Sequence, residues 1–117
     1  MTRNGDNLYP DDDPVSITSA KVRELVAGLP GAAESAHHGH PDFRVQKKIF
    51  ATLSEAGDRA ALRLTQLEAR ELAQRDPTVF RLVSDREPYA YVSVQLDSVA
   101  EEEFADLLEA AWKLRTG

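Results

Sequence analysis

Apolar residues recur along this chain at two spacings, and the switches between them mark the elements. Val22, Leu25 and Val26 share one face of a predicted helix that Ser16 or Thr18 caps and that runs to about Ala27. Gly28 ends it, with Pro30-Gly31 just beyond. The period then shortens. Glu34 to His38 reads as a short edge strand, and Gly39-His40-Pro41-Asp42 as a turn into Phe43-Arg44-Val45. After a second turn at Gln46-Lys47 comes the strand Lys48–Leu53. Strict alternation places Ile49, Ala51 and Leu53 inward there, and Lys48, Phe50 and Thr52 outward. Glu55-Ala56-Gly57-Asp58 is a hairpin loop whose glycine suits positive φ. Beyond it Ala60, Leu62 and Leu64 alternate with Ala61, Arg63 and Thr65.

The second half repeats the scheme. Thr65-Gln66-Leu67-Glu68 has capping-box spacing and opens a helix to about Arg75, where Glu71 and Arg75 stand at i,i+4 and Asp76-Pro77 stops it. Phe80–Val83 is a weaker strand, Ser84–Pro88 a turn, and Tyr89–Leu96 a strand with Ala90, Val92, Val94 and Leu96 inward. Ser98-Val99-Ala100-Glu101 has capping-box spacing again. The last helix carries Phe104, Leu107, Leu108, Ala111 and Trp112 as a core stripe. Helix, strands, helix, strands, helix with short links implies an α+β fold: an antiparallel sheet with helices packed on one face.

Composition narrows the function classes. The chain has 117 residues, the length of one domain, with no repeat or low-complexity tract. There is no cysteine, which removes disulfides, thiolate metal sites and thiol catalysis and agrees with a reducing, cytoplasmic setting. Residues 1–14 are polar and acidic. They read as a disordered leader rather than a signal peptide, ahead of a single domain over 15–117. No run approaches the roughly 20 apolar residues of a membrane-spanning helix. The net charge is −6, but it is unevenly spread. Residues 44–86 hold 9 Lys+Arg against 6 Asp+Glu, whereas residues 1–43 hold 3 against 7 and residues 87–117 hold 2 against 7. The total argues against a nucleic-acid partner, and the basic middle keeps one in play.

Several stretches, taken in order, resemble the MmcQ/YjbR-like family of small bacterial proteins. They are Leu29-Pro30-Gly31-Ala32 with Glu34, Gly39-His40-Pro41-Asp42-Phe43-Arg44-Val45, Lys48-Ile49-Phe50-Ala51-Thr52-Leu53 and Leu62-Arg63-Leu64. Pro77 with Phe80, Tyr91-Val92-Ser93-Val94, and Leu107-Leu108 with Ala111-Trp112 complete the set. The family often has Lys where Arg63 stands and a Gly-Trp pair where Ala90-Tyr91 stands. The resemblance implies a curved antiparallel sheet of the double-wing type known from a phage transcription factor, and a DNA-binding label that rests on fold analogy. It brings no reaction and no cofactor.

The candidate sites divide sharply. His37, His38 and His40 are metal-ligand types, but no Cys or placed carboxylate completes a set of three or four, so a turn-fixing role is the expectation and no metal is assigned. Ser35, His37 or His38, and Asp42 supply the residue types of a hydrolase triad without a nucleophile elbow. The six glycines form no phosphate loop. Asp11–Asp13 and Glu101–Glu103 read as solvated acidic runs. No catalytic residue or cofactor is expected, and the protein is read as a non-enzyme. The set worth weighing is Arg44, Lys47, Lys48 and Arg63, with Lys48 and Arg63 outward on adjacent strands and Phe50 beside Lys48. These four would contact phosphates, giving weak, salt-dependent DNA binding with little sequence specificity. The competing reading is an adaptor module that docks on a protein partner.

Overall fold

The structure, a computed structural model of the chain, describes residues 17–37 and 39–116, with the backbone alone at His37. The acidic leader over 1–14 lies outside the described residues. Three helices, α1 (Ser19–Ala27), α2 (Gln66–Arg75) and α3 (Glu101–Thr116), accompany six strands. These are β1 (Ala32–His37), β2 (His40–Val45), β3 (Lys48–Leu53), β4 (Arg59–Thr65), β5 (Phe80–Arg86) and β6 (Tyr89–Gln95). The sheet order is β1-β2-β3-β4-β6-β5, and every neighbouring pair is antiparallel. Among the described residues no helix is long and apolar enough to cross a membrane.

Local chemistry accounts for most boundaries. Thr18 caps α1 by accepting from the Lys21 N–H at 3.1 Å, and Thr65 caps α2 through the Glu68 N–H at 3.2 Å. Gly57 sits at φ 78° in the β3–β4 loop, as its hairpin position requires. The β2–β3 turn is less comfortable: Gln46 and Lys47 both hold positive φ, at 52° and 68°. That is the backbone of a type I′ turn, which normally selects Asn-Gly.

All three helices cover one face. Leu62, Leu64, Val92 and Val94 are fully shielded beneath them, as alternation predicts, together with Phe80, Phe104 and Leu108. Ion pairs stitch this layer together, Lys21 to Glu101 between α1 and α3 and Arg75 to Glu103 at 2.6 Å between α2 and α3. Arg75 thus turns to α3 and not to Glu71. The second expected capping box does not form among the described residues: α3 begins at Glu101, so Ala100 and not Ser98 precedes it, and the Ser98 hydroxyl donates to Asp97. Trp112 stands at the margin of the core stripe, half-buried, with its indole N–H donating to the Pro30 carbonyl at 3.0 Å. Two strand readings also shift. His40 to Asp42 belong to β2 rather than to the turn, and β5 continues through Ser84 to Arg86, so that the turn narrows to Glu87-Pro88.

Two bulges decide which way side chains face. Phe43 pairs with Ala51 and Arg44 with Ile49, which leaves Phe50 as the extra residue of β3. A one-residue insertion reverses the alternation beyond it. Phe50 and Ala51 therefore both enter the core, at 0% and 1% exposure, while Ile49, expected inward, turns to the opposite side. In β5, Leu82 pairs with Val92 and Ser84 with Tyr91, so Val83 is the extra residue, 63% exposed.

Candidate nucleic-acid interface

The sheet face away from the helices is open, and the registers show what it carries. On β4, Arg59, Ala61, Arg63 and Thr65 point there, opposite Gln95, Ser93, Tyr91 and Tyr89 of β6. On β5, Arg81 lies opposite Ser93 and, past the bulge, Arg86 lies opposite Tyr89. On β2, Asp42 and Arg44 point the same way. Five strand arginines thus share this face with one strand carboxylate. Of the other strand carboxylates, Glu34 reaches back to Arg23 of α1 and Asp85 to Gln66 and Arg70 of α2. The acidic surplus sits elsewhere, notably on α3, which holds five carboxylates against two cations.

The five arginines are not equivalent. Asp42, fully buried, binds Arg44 through both oxygens, at 2.9 Å to Nε and 3.2 Å to Nη2. These bonds hold the Arg44 guanidinium pKa above the ordinary arginine value. Its charge is therefore neutralised where it stands. Arg63 lies over the Tyr89 ring, with its guanidinium carbon 3.7 Å from the centroid. Its Nη1 is shielded from solvent and without a hydrogen-bond partner, so the stack holds a donor that no protein acceptor satisfies. Among the described residues, Arg59, Arg81 and Arg86 have no carboxylate partner either.

The four basic residues singled out in the sequence separate accordingly. Arg63 and Arg44 point to the open face, Arg44 already paired. Lys47 lies in the β2–β3 turn. Lys48 pairs with Val45, a buried residue, so the Phe50 bulge places it on the helix side of the sheet with Phe50 itself. Lys48 and Arg63 do not share a face. The residues missed were Arg59, Arg81, Arg86, Tyr89 and Tyr91. The Arg59-Ala61-Arg63 alternation was a signal for the first. The others depend on β6 lying between β4 and β5, which local pattern does not reveal.

The histidine cluster contributes little to the described surface. His40 is exposed and its backbone pairs with that of His37 at the β1–β2 turn, while His38 and the His37 side chain lie outside the described residues. Among the described residues no three metal-ligating side chains gather. Ser35 is exposed opposite Asp42, whose carboxylate serves Arg44. A depression of about 210 Å³ beside this pair is lined by His40, Ile49, Thr52 and Leu53, among others.

The fold and the surface together describe a small α+β domain with a helix-covered, six-stranded antiparallel sheet and an arginine-bearing open face. The YjbR family model matches residues 27–114, and the chain belongs to that family. A similar solved structure is the crystal structure of Deinococcus radiodurans protein DR2400, with the family designation DUF419. It is 22% identical, with a TM-score of 0.77, over 89% of this chain and 81% of that one. At that identity the likeness shows the fold. No curated protein matches the chain.

Proposed function

We propose that the open sheet face is a DNA-binding surface that engages phosphates with little sequence readout. The observation that carries this reading is the arrangement of Arg59, Arg63, Arg81 and Arg86. They share one face of a protein of net charge −6, with no carboxylate set against them among the described residues. Away from this face, Arg23 is matched with Glu34, Arg70 with Asp85 and Arg75 with Glu103, while Arg115 donates to the Ile49 carbonyl. Unmatched guanidiniums repel one another, which phosphate binding would relieve, and a guanidinium is weakly hydrated, so giving up its water to a phosphate costs little. Between them on β6, Tyr91 is half-buried and offers an aromatic side chain on which a base can stack, and Arg63 covers the Tyr89 ring. Charges farther away than about 8–10 Å are screened at physiological salt, so acidic α3 on the other side does not forbid the contact.

Fluorescence anisotropy on labelled single-stranded and random duplex DNA tests the reading. Four phosphate contacts give a log–log salt slope of roughly −3.6 on duplex and roughly −2.8 on single strands. Changing Arg59, Arg63 and Arg81 to Glu together should weaken binding at least about tenfold at low salt. Changing Lys47 and Lys48 to Glu should have a small effect. Absence of wild-type binding at low salt, or a triple variant that binds as well as wild type, returns the face to the adaptor reading.

A further inference from the structure

The open face is not flat: two joined depressions lie on it between β4 and β5. The smaller, about 60 Å³, is lined by Arg59, Thr78, Arg81, Ser93 and Gln95, among others. That is room for a few water molecules or one tetrahedral oxyanion. The larger, about 300 Å³, shares Arg59, Arg81 and Ser93 and extends over Thr52, Ala61 and Val83. The registers explain the convergence. Arg59 pairs with Gln95 and Arg81 with Ser93, so the two side chains rise from the strands on either side of β6. They flank the neutral donors Ser93 and Gln95. The Thr78 hydroxyl is already committed to Asp76 at 2.7 Å.

We infer that this double depression binds a nucleoside phosphate monoester, with the phosphate between Arg59 and Arg81 and the nucleoside over Ala61 and Val83. The inference rests on reading this face as a phosphate-binding surface, and it names the ligand group. Charge decides between phosphate types. A monoester carries nearly two negative charges at neutral pH, whereas each diester within a strand carries one. Two guanidiniums without carboxylate partners match the monoester. A tight polar recess beside a wider floor with exposed aliphatic surface matches its two ends in turn. By alternation from Leu82, Val83 falls on the open face, 63% exposed, and supplies the aliphatic part of that floor. The ligand is either a free nucleotide or the phosphorylated end of a single strand.

The test uses the full chain and labelled ten-residue DNA strands with a 5′-phosphate, a 3′-phosphate or hydroxyls at both ends. A free nucleoside monophosphate and inorganic phosphate serve as competitors. A strand end as ligand predicts that a terminal phosphate tightens binding roughly tenfold. Arg81→Gln should erase that preference, read as the ratio of phosphorylated to hydroxyl-ended affinity within the variant, while the loss of one phosphate contact weakens both strands alike. A free nucleotide as ligand predicts calorimetric binding of the monophosphate well above inorganic phosphate, lost in Arg81→Gln, even where no strand binds. Equal binding of all three strands with no nucleotide signal overturns the inference and leaves the DNA reading standing. Absence of binding by strands and nucleotide alike overturns both. Arg81 is exposed on an edge strand, so thermal melting should show Arg81→Gln to be folded.

Discussion

The two halves of the open sheet face are built from similar residues and end in opposite electrostatic states. On the β2–β3 side, Asp42 is buried against Arg44 and the charges cancel. On the β4–β6–β5 side, Arg59, Arg81 and Arg86 stand without carboxylates. A bulge sorts the charges in each half. In β3 the extra Phe50 sends Lys48 to the helix side, and in β5 the extra Val83 sends Asp85 there and brings Arg86 out. Without the second bulge, unbroken alternation would place Asp85 among the arginines and turn Arg86 away. The comparison teaches that the sign of a sheet face depends on register as much as on composition.

The strongest way to break this account is to test the first bulge. Phe50 is fully shielded, so Phe50→Ala should cost about 3–5 kcal/mol in urea unfolding, the range for deleting a buried aromatic. Unbroken alternation puts Phe50 on the open face, where the same change would cost less than about 1 kcal/mol. A small loss would remove the reason for placing Lys48 on the helix side.

The paired and unpaired halves should also respond differently to truncation. Asp42 has no exposed surface, and its loss strands a partly exposed Arg44. Asp42→Ala should therefore destabilise by about 1–3 kcal/mol. Arg81→Ala removes an exposed side chain with no carboxylate partner and should stay within about 0.5 kcal/mol. If both changes prove equally costly, the arginines of the second half have structural partners and the contrast fails.

A smaller effect sits in the turn joining β2 and β3. Gln46 and Lys47 hold the left-handed conformation without a glycine. Replacing them with Asn-Gly should stabilise the protein by about 1 kcal/mol, read from the unfolding midpoint at constant slope. A loss would mean that one of these side chains makes a contact worth more than the backbone relief.

Much of the fold was legible because one-period segments impose their own geometry. β4, β6 and the buried stripe of α3 alternate or repeat without interruption, and each buries the residues its pattern names, with Trp112 at the end of the α3 stripe only half-buried. The Thr65 cap and Gly57 likewise act within a few residues. The candidate site was less legible, because its parts meet only through long-range pairing. Arg63 was found since it lies on a strong strand. Arg81 and Arg86 were missed, because β5 looked weak alone and its bulge leaves no mark in the polarity pattern. Arg44 was read as a free cation, and its neutralisation by Asp42 depends on both side chains facing the same side of β2.

The finest probe of the comparison is the acid that the β5 bulge turns away. Asp85 lies opposite buried Ala90, on the helix side, where the Gln66 amide donates to Oδ1 at 2.7 Å. Arg70 binds Oδ2 at 3.1 Å through Nε and 3.0 Å through Nη2. Both partners favour the carboxylate, Gln66 first, and they hold the Asp85 pKa below the ordinary value of 3.8. The sign follows from linkage. A group whose pKa is lower folded than unfolded adds stability that is fully present above its unfolded value and is lost as pH falls through its folded value. Wild type and Asp85→Asn should therefore differ most at neutral pH and converge as the solution is acidified below that window. In a carbon-detected NMR titration the Asp85 carboxyl should show a midpoint under 3.8, and Gln66→Ala and Arg70→Ala should each raise it. A midpoint at or above that value would mean that Asp85 faces solvent instead of α2. The bulge would then not be sorting charge, and the arginines of the open face would have an acid beside them after all.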